Sequence, residues 1–183
     1  RGLKVDGHPF DLSTRRALWE VFDQIPASIE EAYGRTLVIQ KGAQVGATVF
    51  EQLVALYFAV KFAPCNCLMY LPDRSMAAYK SANRFMPVVR SVPALHDLIT
   101  DGGASEGNVL TRVVRSLASS FLFLWTHGRE GGVTESFPGD LLSLDEVQGG
   151  TLEQVDRVTE RLSASRVRFR LMLSTPLWPD LDI

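Results

Sequence analysis

Short apolar segments alternate along this chain with longer segments of helical periodicity, and this alternation limits the possible folds more than any other feature. Predicted strands cover Thr36–Gln40 and residues 67–71, 140–144 and 169–173. Helical segments lie between them, so successive strands can run parallel and be joined by helical crossovers. The sequence therefore predicts an α/β fold of three layers, with a mostly parallel central sheet and helices on both faces.

Three of the expected helices have distinct sequence signals. Residues 14–24 form an amphipathic segment for which Ser13 is the expected N-cap. Residues 48–62 are apolar nearly all the way round, which is typical of a helix packed between a sheet and its neighbours. The helix of residues 75–85 is expected to stop before Pro87, because proline interrupts helical hydrogen bonds.

Two local patterns and the composition complete the predicted architecture. Residues 109–115 and 120–126 are expected to form a hairpin, and Thr151 with Gln154 is a capping-box pair that opens a last helix. The 183 residues, 46% hydrophobic and 22% charged, suit a single domain over residues 1–183. The formal net charge of -2 gives no electrostatic argument for a nucleic-acid partner, so any DNA-binding surface must be a local patch.

A candidate phosphate-binding loop joins the first predicted strand to the long apolar helix. Glycines let backbone N–H groups converge on an anion, and the helix that follows directs its free N–H groups at the same point. The hydroxyl at the helix start is a candidate ligand for magnesium. The candidate nucleotide-binding residues are Lys41, Gly42, Ala43, Gln44, Val45, Gly46, Ala47 and Thr48.

This loop departs from the usual phosphate-loop pattern, which places a lysine directly before the hydroxyl. Ala47 occupies that position, and Lys41 is the only cation of the motif that could fold back over the phosphates. The residues of this segment alone are equally compatible with an ordinary glycine-containing turn of an α/β protein.

Adjacent carboxylates, Asp145 and Glu146, follow the aliphatic strand of residues 140–144. Ligand chemistry in open α/β sheets concentrates at the carboxyl ends of strands. Asp145 is the candidate for the magnesium shell, and Glu146 is the candidate catalytic residue that polarises the attacking water. The alternative is that both acids simply leave the core where the strand ends.

In this ordered set of motifs the chain resembles the large terminase subunit of tailed phages, specifically the lambda-like branch, in which the loop lysine sits at the beginning of the loop. The resemblance covers roughly residues 36–176. It rests on five features: the loop from Lys41 to Thr48, Leu71-Pro72, the segment from Pro87 through Arg90 and Pro93 to Leu95, Asp145-Glu146, and Ser174-Thr175-Pro176.

The resemblance implies an ASCE-type ATPase, with an extra strand between the two nucleotide motifs and with ATP and Mg²⁺ as cofactors. It implies a motor that packs double-stranded DNA into a procapsid in the host cell cytoplasm, as a homo-oligomeric ring docked on the portal protein and working with the small terminase subunit. The isolated chain would be a monomer, and no membrane partner is expected. Ser174 and Thr175 would couple the state of the γ-phosphate to movement, and Arg129 is the candidate catalytic arginine finger. The C-terminal nuclease of full-length large terminases is expected to be absent.

Two other functions remain open from the residues. A superfamily-2-like helicase or translocase shares the adjacent acids and a comparable coupling motif, but such helicases keep lysine beside the hydroxyl, where this chain has Ala47. A nucleotide-binding assembly module without useful hydrolysis is the alternative from a different functional class.

Overall fold

The computed structural model describes residues 3–5, 7–42, 45–101, 109–126, 137–147 and 151–175. Its centre is a seven-stranded sheet, and a separate two-stranded ribbon pairs β1 (Lys4–Val5) with β2 (His8–Pro9). The sheet consists of β3 (Thr36–Gln40), β4 (Asn66–Leu71), β5 (Ile99–Asp101), β6 (Thr111–Val114), β7 (Ser119–Trp125), β8 (Leu141–Leu144) and β9 (Phe169–Ser174).

The strands are arranged in the order β3-β9-β8-β4-β7-β6-β5. The first five run parallel to one another, whereas β6 and β5 are added as antiparallel strands. Their antiparallel pairing includes the predicted hairpin of β6 and β7. Because β9 lies between β3 and β8, the extra strand implied by the resemblance is present, and the carboxyl ends of β3, β9 and β8 meet at one edge of the sheet.

The two faces of the sheet bury different sets of side chains. Along β4, Cys67, Met69 and Leu71 belong to the larger hydrophobic cluster, while Leu68 and Tyr70 belong to the smaller one. This alternation follows from the two-residue period of a strand. Both faces are therefore covered, and the predicted three-layer α/β architecture is confirmed.

Seven α-helices lie in the described ranges. They are α1 (Trp19–Phe22), α2 (Ile29–Ala32), α3 (Ala47–Lys61), α4 (Arg74–Tyr79), α5 (Met86–Ser91), α6 (Pro93–His96) and α7 (Leu152–Thr159). The expected capping box of Thr151 and Gln154 opens α7. None of the helices in the described part of the chain is long and apolar enough to cross a membrane.

The helix predicted over residues 14–24 is wrong as a continuous element. Leu12–Thr14 and Arg16–Leu18 form two separate 3₁₀ turns, and only α1 is α-helical. Asp11, rather than Ser13, caps the first turn, because its carboxylate accepts the Ser13 N–H at 2.8 Å. The apolar positions of this segment thus arise from turns packed beside the core and not from one amphipathic helix.

The helix predicted to end before Pro87 instead continues past it. A π-helical segment, Lys80–Phe85, joins α4 to α5, and Pro87 lies in the first turn of α5. The Met86 N–H donates to the Ser81 carbonyl, five residues earlier. This wider turn accommodates a proline ring that would clash with a carbonyl four residues earlier in a regular α-helix.

Candidate functional site

The candidate phosphate loop begins where β3 ends beside β9. The Lys41 N–H donates to the Ser174 carbonyl at 2.8 Å, so the loop leaves the sheet next to the end of β9. Gly46 precedes α3 with a positive φ of 91°, and its carbonyl accepts the Phe50 N–H at 3.0 Å. The predicted strand, loop and helix order is therefore present.

The remaining loop residues differ in how they are placed. Gly42 and Val45 are exposed, Ala47 is buried, and Thr48 is half-buried in the first turn of α3. Ala43 and Gln44 lie outside the described residues. Thr48 is thus positioned at the helix start, as its predicted role requires.

The surroundings of Gly46 are tight for a larger residue. A Cβ built there would lie 3.1 Å from Nη1 of Arg15 and 3.4 Å from Cδ1 of Leu18. The positive φ also lies in the region that glycine adopts most readily. Gly46 therefore allows the turn before α3 and the close approach of the segment that carries Arg15.

Asp145 and Glu146 follow β8 directly, but their surroundings differ. The side chain of Asp145 is 8% exposed and that of Glu146 is 30% exposed. Glu146 has a positive φ of 59°, and its N–H donates to Asp145 Oδ1 at 3.1 Å. This backbone conformation is uncommon for a residue with a long side chain, and such conformations cluster at functional sites.

Lys41 connects the phosphate loop to both carboxylates across the end of β9. Its Nζ lies 3.3 Å from Asp145 Oδ1 and 3.0 Å from Glu146 Oε1. Burial lowers the pKa of Lys41, but the charges of Asp145 and Glu146 outweigh this effect and leave that pKa raised. Lys41 therefore remains a cation that can bind an oxyanion.

A second lysine reaches Asp145 from the opposite side. Lys80 Nζ donates to Asp145 Oδ2 at 2.8 Å and also forms a short hydrogen bond with the Glu51 carboxylate. The other oxygen of Glu51 accepts a hydrogen bond from the Ser143 hydroxyl. Lys80, Glu51 and Ser143 are all buried, so the ion pairs lie inside the protein.

Sequence reasoning missed these three residues. Glu51 follows Thr48 by almost one turn on a helix that was predicted to be apolar nearly all the way round, and Ser143 interrupts an aliphatic strand. A buried charge requires a partner, so these two polar residues were a usable signal. No comparable signal marked Lys80, whose pairing depends on how α4 and the π-helical segment pack.

The charges of Asp145 and its two lysines stabilise one another, whereas burial and the charge of Asp145 raise the pKa of Glu51. Burial raises the pKa of Asp145, but the ammonium groups of Lys80 and Lys41 outweigh it and hold that pKa below its usual value. Burial lowers the pKa of Lys80, and the two carboxylates around it more than reverse this effect. Asp145 is accordingly an anion, as a metal-binding role requires.

Thr48 and Asp145, the two predicted magnesium ligands, line one cavity of about 470 Å³. The cavity is also lined by Lys80 and by side chains of α4 and the π-helical segment. No group of three or more His, Cys, Asp or Glu residues in the described part of the chain could hold a metal ion by itself. One hydroxyl and one carboxylate fit a magnesium ion that takes its other ligands from phosphate and water.

Two further predictions concern the coupling residues and the arginine finger. Ser174 ends β9 beside Lys41, and Thr175 follows it half-buried, so both lie near the start of the loop. Arg129, the candidate arginine finger, lies outside the described residues.

Comparison with known proteins points to one family. The sequence profile of "Phage terminase large subunit gpA, ATPase domain" matches residues 7–179. A search of curated proteins gave no match.

Two solved structures share the fold. The crystal structure of the HK97 bacteriophage large terminase aligns with a TM-score of 0.69 and 16% identity, over 92% of this chain and 34% of that one. A mutant ATPase domain of the Thermus phage P74-26 large terminase aligns with a TM-score of 0.52 and 15% identity, over 88% of this chain and 71% of that one. This chain therefore spans about a third of the HK97 protein.

Proposed function

Because this chain belongs to the family of phage terminase large subunit gpA ATPase domains, we propose that it binds and hydrolyses ATP to drive DNA packaging. One observation carries the proposal: Lys41, at the start of the loop, reaches the Asp145–Glu146 pair. Lys41 therefore lies beside the proposed metal-binding and catalytic carboxylates, although Ala47 occupies the position where the usual phosphate-loop pattern has its lysine. The helicase alternative has no comparable support.

In the proposed reaction the loop side chains bind the phosphates. Lys41 and the backbone N–H groups at the start of α3 bind the β- and γ-phosphates. Thr48 and Asp145 would hold Mg²⁺, which would neutralise phosphate charge when bound. Glu146 orients a water for attack on the γ-phosphate and accepts its proton.

The contact between Lys41 and Glu146 bears on the order of these steps. Glu146 accepts a hydrogen bond from Lys41 Nζ, so one of its oxygens is engaged. When Lys41 turns to a phosphate, it would give up this hydrogen bond to Glu146. Nucleotide binding would thus change the surroundings of the proposed catalytic carboxylate.

The wider roles are proposed from the family. The chain would act on double-stranded DNA in the host cell cytoplasm, in a homo-oligomeric ring with the portal protein and the small terminase subunit. Ser174 and Thr175 would couple the state of the γ-phosphate to movement. The hydrogen bond from the Lys41 N–H to the Ser174 carbonyl, at the end of β9, supports this role. Arg129 is proposed as the arginine finger.

ATPase assays of the ring assembled on procapsids test the proposal, with Lys41→Ala, Glu146→Gln and the matched control Lys61→Ala. Glu146→Gln should lower kcat by about 10²- to 10⁴-fold while ATP still binds, because it removes the general base. Lys41→Ala should lower turnover and, unlike Glu146→Gln, should also weaken nucleotide binding. Lys61, exposed at the end of α3, should be dispensable. Unchanged turnover in both site variants would exclude these assignments.

A further inference from the structure

The two oxygens of Asp145 have different partners. Oδ1 faces the phosphate loop, where it lies 3.3 Å from Lys41 Nζ and accepts the Glu146 N–H. Oδ2 faces the interior and accepts a hydrogen bond from Lys80 Nζ at 2.8 Å. The carboxylate is thus fixed in one orientation about its side-chain bonds.

Lys80 is itself held on its far side. Its Nζ donates to Glu51, which is fully buried and is bound in turn by the Ser143 hydroxyl. These three polar side chains come from the π-helical segment, α3 and β8, so the layer of helices is joined to the strand that precedes Asp145.

Such a network has a cost that a purely structural role does not explain. A buried ion pair is often no more stabilising than apolar side chains of similar volume. The side chains around it, in α3 and along β8, are largely apolar. Its most direct effect is on the orientation of Asp145, the only member of the network that also faces the phosphate loop.

We propose that Lys80, held by Glu51, is a positioning residue that fixes Oδ2 of Asp145 and thereby presents Oδ1 to the metal ion. This inference rests on the proposed function, since it assigns Asp145 to the magnesium shell. Outer partners of this kind orient metal-binding carboxylates and affect metal affinity strongly.

The test is a binding measurement, independent of turnover. A fluorescent ATP analogue is titrated into the protein, first in EDTA and then over a range of Mg²⁺ concentrations. The variants are Lys80→Met, Glu51→Gln and the double variant Glu51→Gln/Lys80→Met, in which both buried charges are removed together. Lys61→Met is the matched control, because it makes the same change at an exposed position.

In Lys80→Met and the double variant, the Mg²⁺ concentration for half-maximal enhancement of binding should rise by about 10- to 100-fold. Affinity in EDTA should stay within about twofold of wild type, because Lys41 and the loop are untouched. Glu51→Gln should show a smaller rise, and Lys61→Met none.

Each other result has a distinct meaning. A wild-type Mg²⁺ response in a folded double variant would overturn the positioning role. Equal losses with and without Mg²⁺, or loss of folding in all three variants, would show that the pair serves stability and would also overturn it. If wild type binds nucleotide with no Mg²⁺ dependence at all, the proposed function fails instead.

Discussion

Asp145 is bound by two lysines whose surroundings differ. Lys41 lies at the sheet edge, and its second partner, Glu146, has a side chain that is 30% exposed. Lys80 lies within the helical layer, and its second partner, Glu51, has a side chain that is 0% exposed. A contact with a partly hydrated carboxylate is less costly to exchange than a contact between fully buried groups. The comparison therefore separates the contact of Lys41, called the mobile side below, from the contact of Lys80, called the fixed side, on the same carboxylate.

The largest expected effect is on the fixed side. Lys80→Met should lower the free energy of unfolding by about 3–5 kcal/mol, because it leaves Glu51 and Asp145 buried without their shared cation. Lys41→Met should cost on the order of 1 kcal/mol, because Asp145 keeps Lys80 and Glu146 stays partly hydrated. Urea denaturation of both variants measures the difference. Equal losses of unfolding free energy in the two variants would show that the two lysines do not differ in this way.

Asp145→Asn tests the charge that both lysines share. It should lower stability at neutral pH by about 2 kcal/mol, since charge-assisted hydrogen bonds to Lys80 and Lys41 are weakened. The pKa of Asp145 is lowered in the folded protein, so its contribution is present above the unfolded value of about 3.9 and is lost as pH falls through the folded value. The gap between wild type and variant, measured by denaturation from pH 7 to pH 2, should therefore close only at acidic pH. A gap that is constant with pH would contradict the assignment.

Ser143→Ala tests the buried Glu51 carboxylate on the Lys80 side of the comparison. It should lower the free energy of unfolding by about 1–3 kcal/mol, because one buried oxygen of Glu51 loses its donor. Ser120→Ala is a suitable control, since its half-buried hydroxyl donates to Asn66, which is outside this network. Thermal and urea unfolding provide the measurement, and equal losses in the two variants would argue against a special role for Glu51.

The smallest effect on stability is expected in the phosphate loop. Gly46→Ala and Gly34→Ala each introduce a Cβ at a positive φ, so each should cost roughly 1 kcal/mol. Only Gly46 has neighbours within 4 Å of that Cβ; Gly34 has none. Binding of an ATP analogue should therefore weaken in Gly46→Ala and stay unchanged in Gly34→Ala. Normal binding by Gly46→Ala would remove the loop from the site.

The sequence predicted the mobile side of Asp145 better than the fixed side. The order of strand, loop, helix and terminal carboxylates predicted that Lys41 and Asp145 would share one sheet edge, because parallel strands place their carboxyl ends together. Lys80 meets Glu51 only through helix packing, which local patterns do not specify. The same limit explains Pro87, where a π-turn admits a residue that sequence rules exclude from a helix interior.

The elements predicted correctly are those whose burial follows a simple period. The central strands β4 and β8 and the long helix α3 are largely apolar, and Thr151 with Gln154 fixes the start of α7. Residues 14–24 have a similar apolar spacing, but they fold as short turns beside the core. Periodicity identified the buried side chains there and not the backbone that carries them.

The position of β9 also has a consequence for the assembly of the protein during translation. A ribosome releases β3, α3 and β8 before it releases β9, yet Thr36 of β3 pairs with Arg170 of β9. Until that late strand is inserted, β3 lacks its neighbour in the sheet, and the Lys41 N–H lacks the Ser174 carbonyl that accepts its hydrogen bond. The start of the candidate phosphate loop therefore reaches its native place in the sheet only with one late, long-range pairing step.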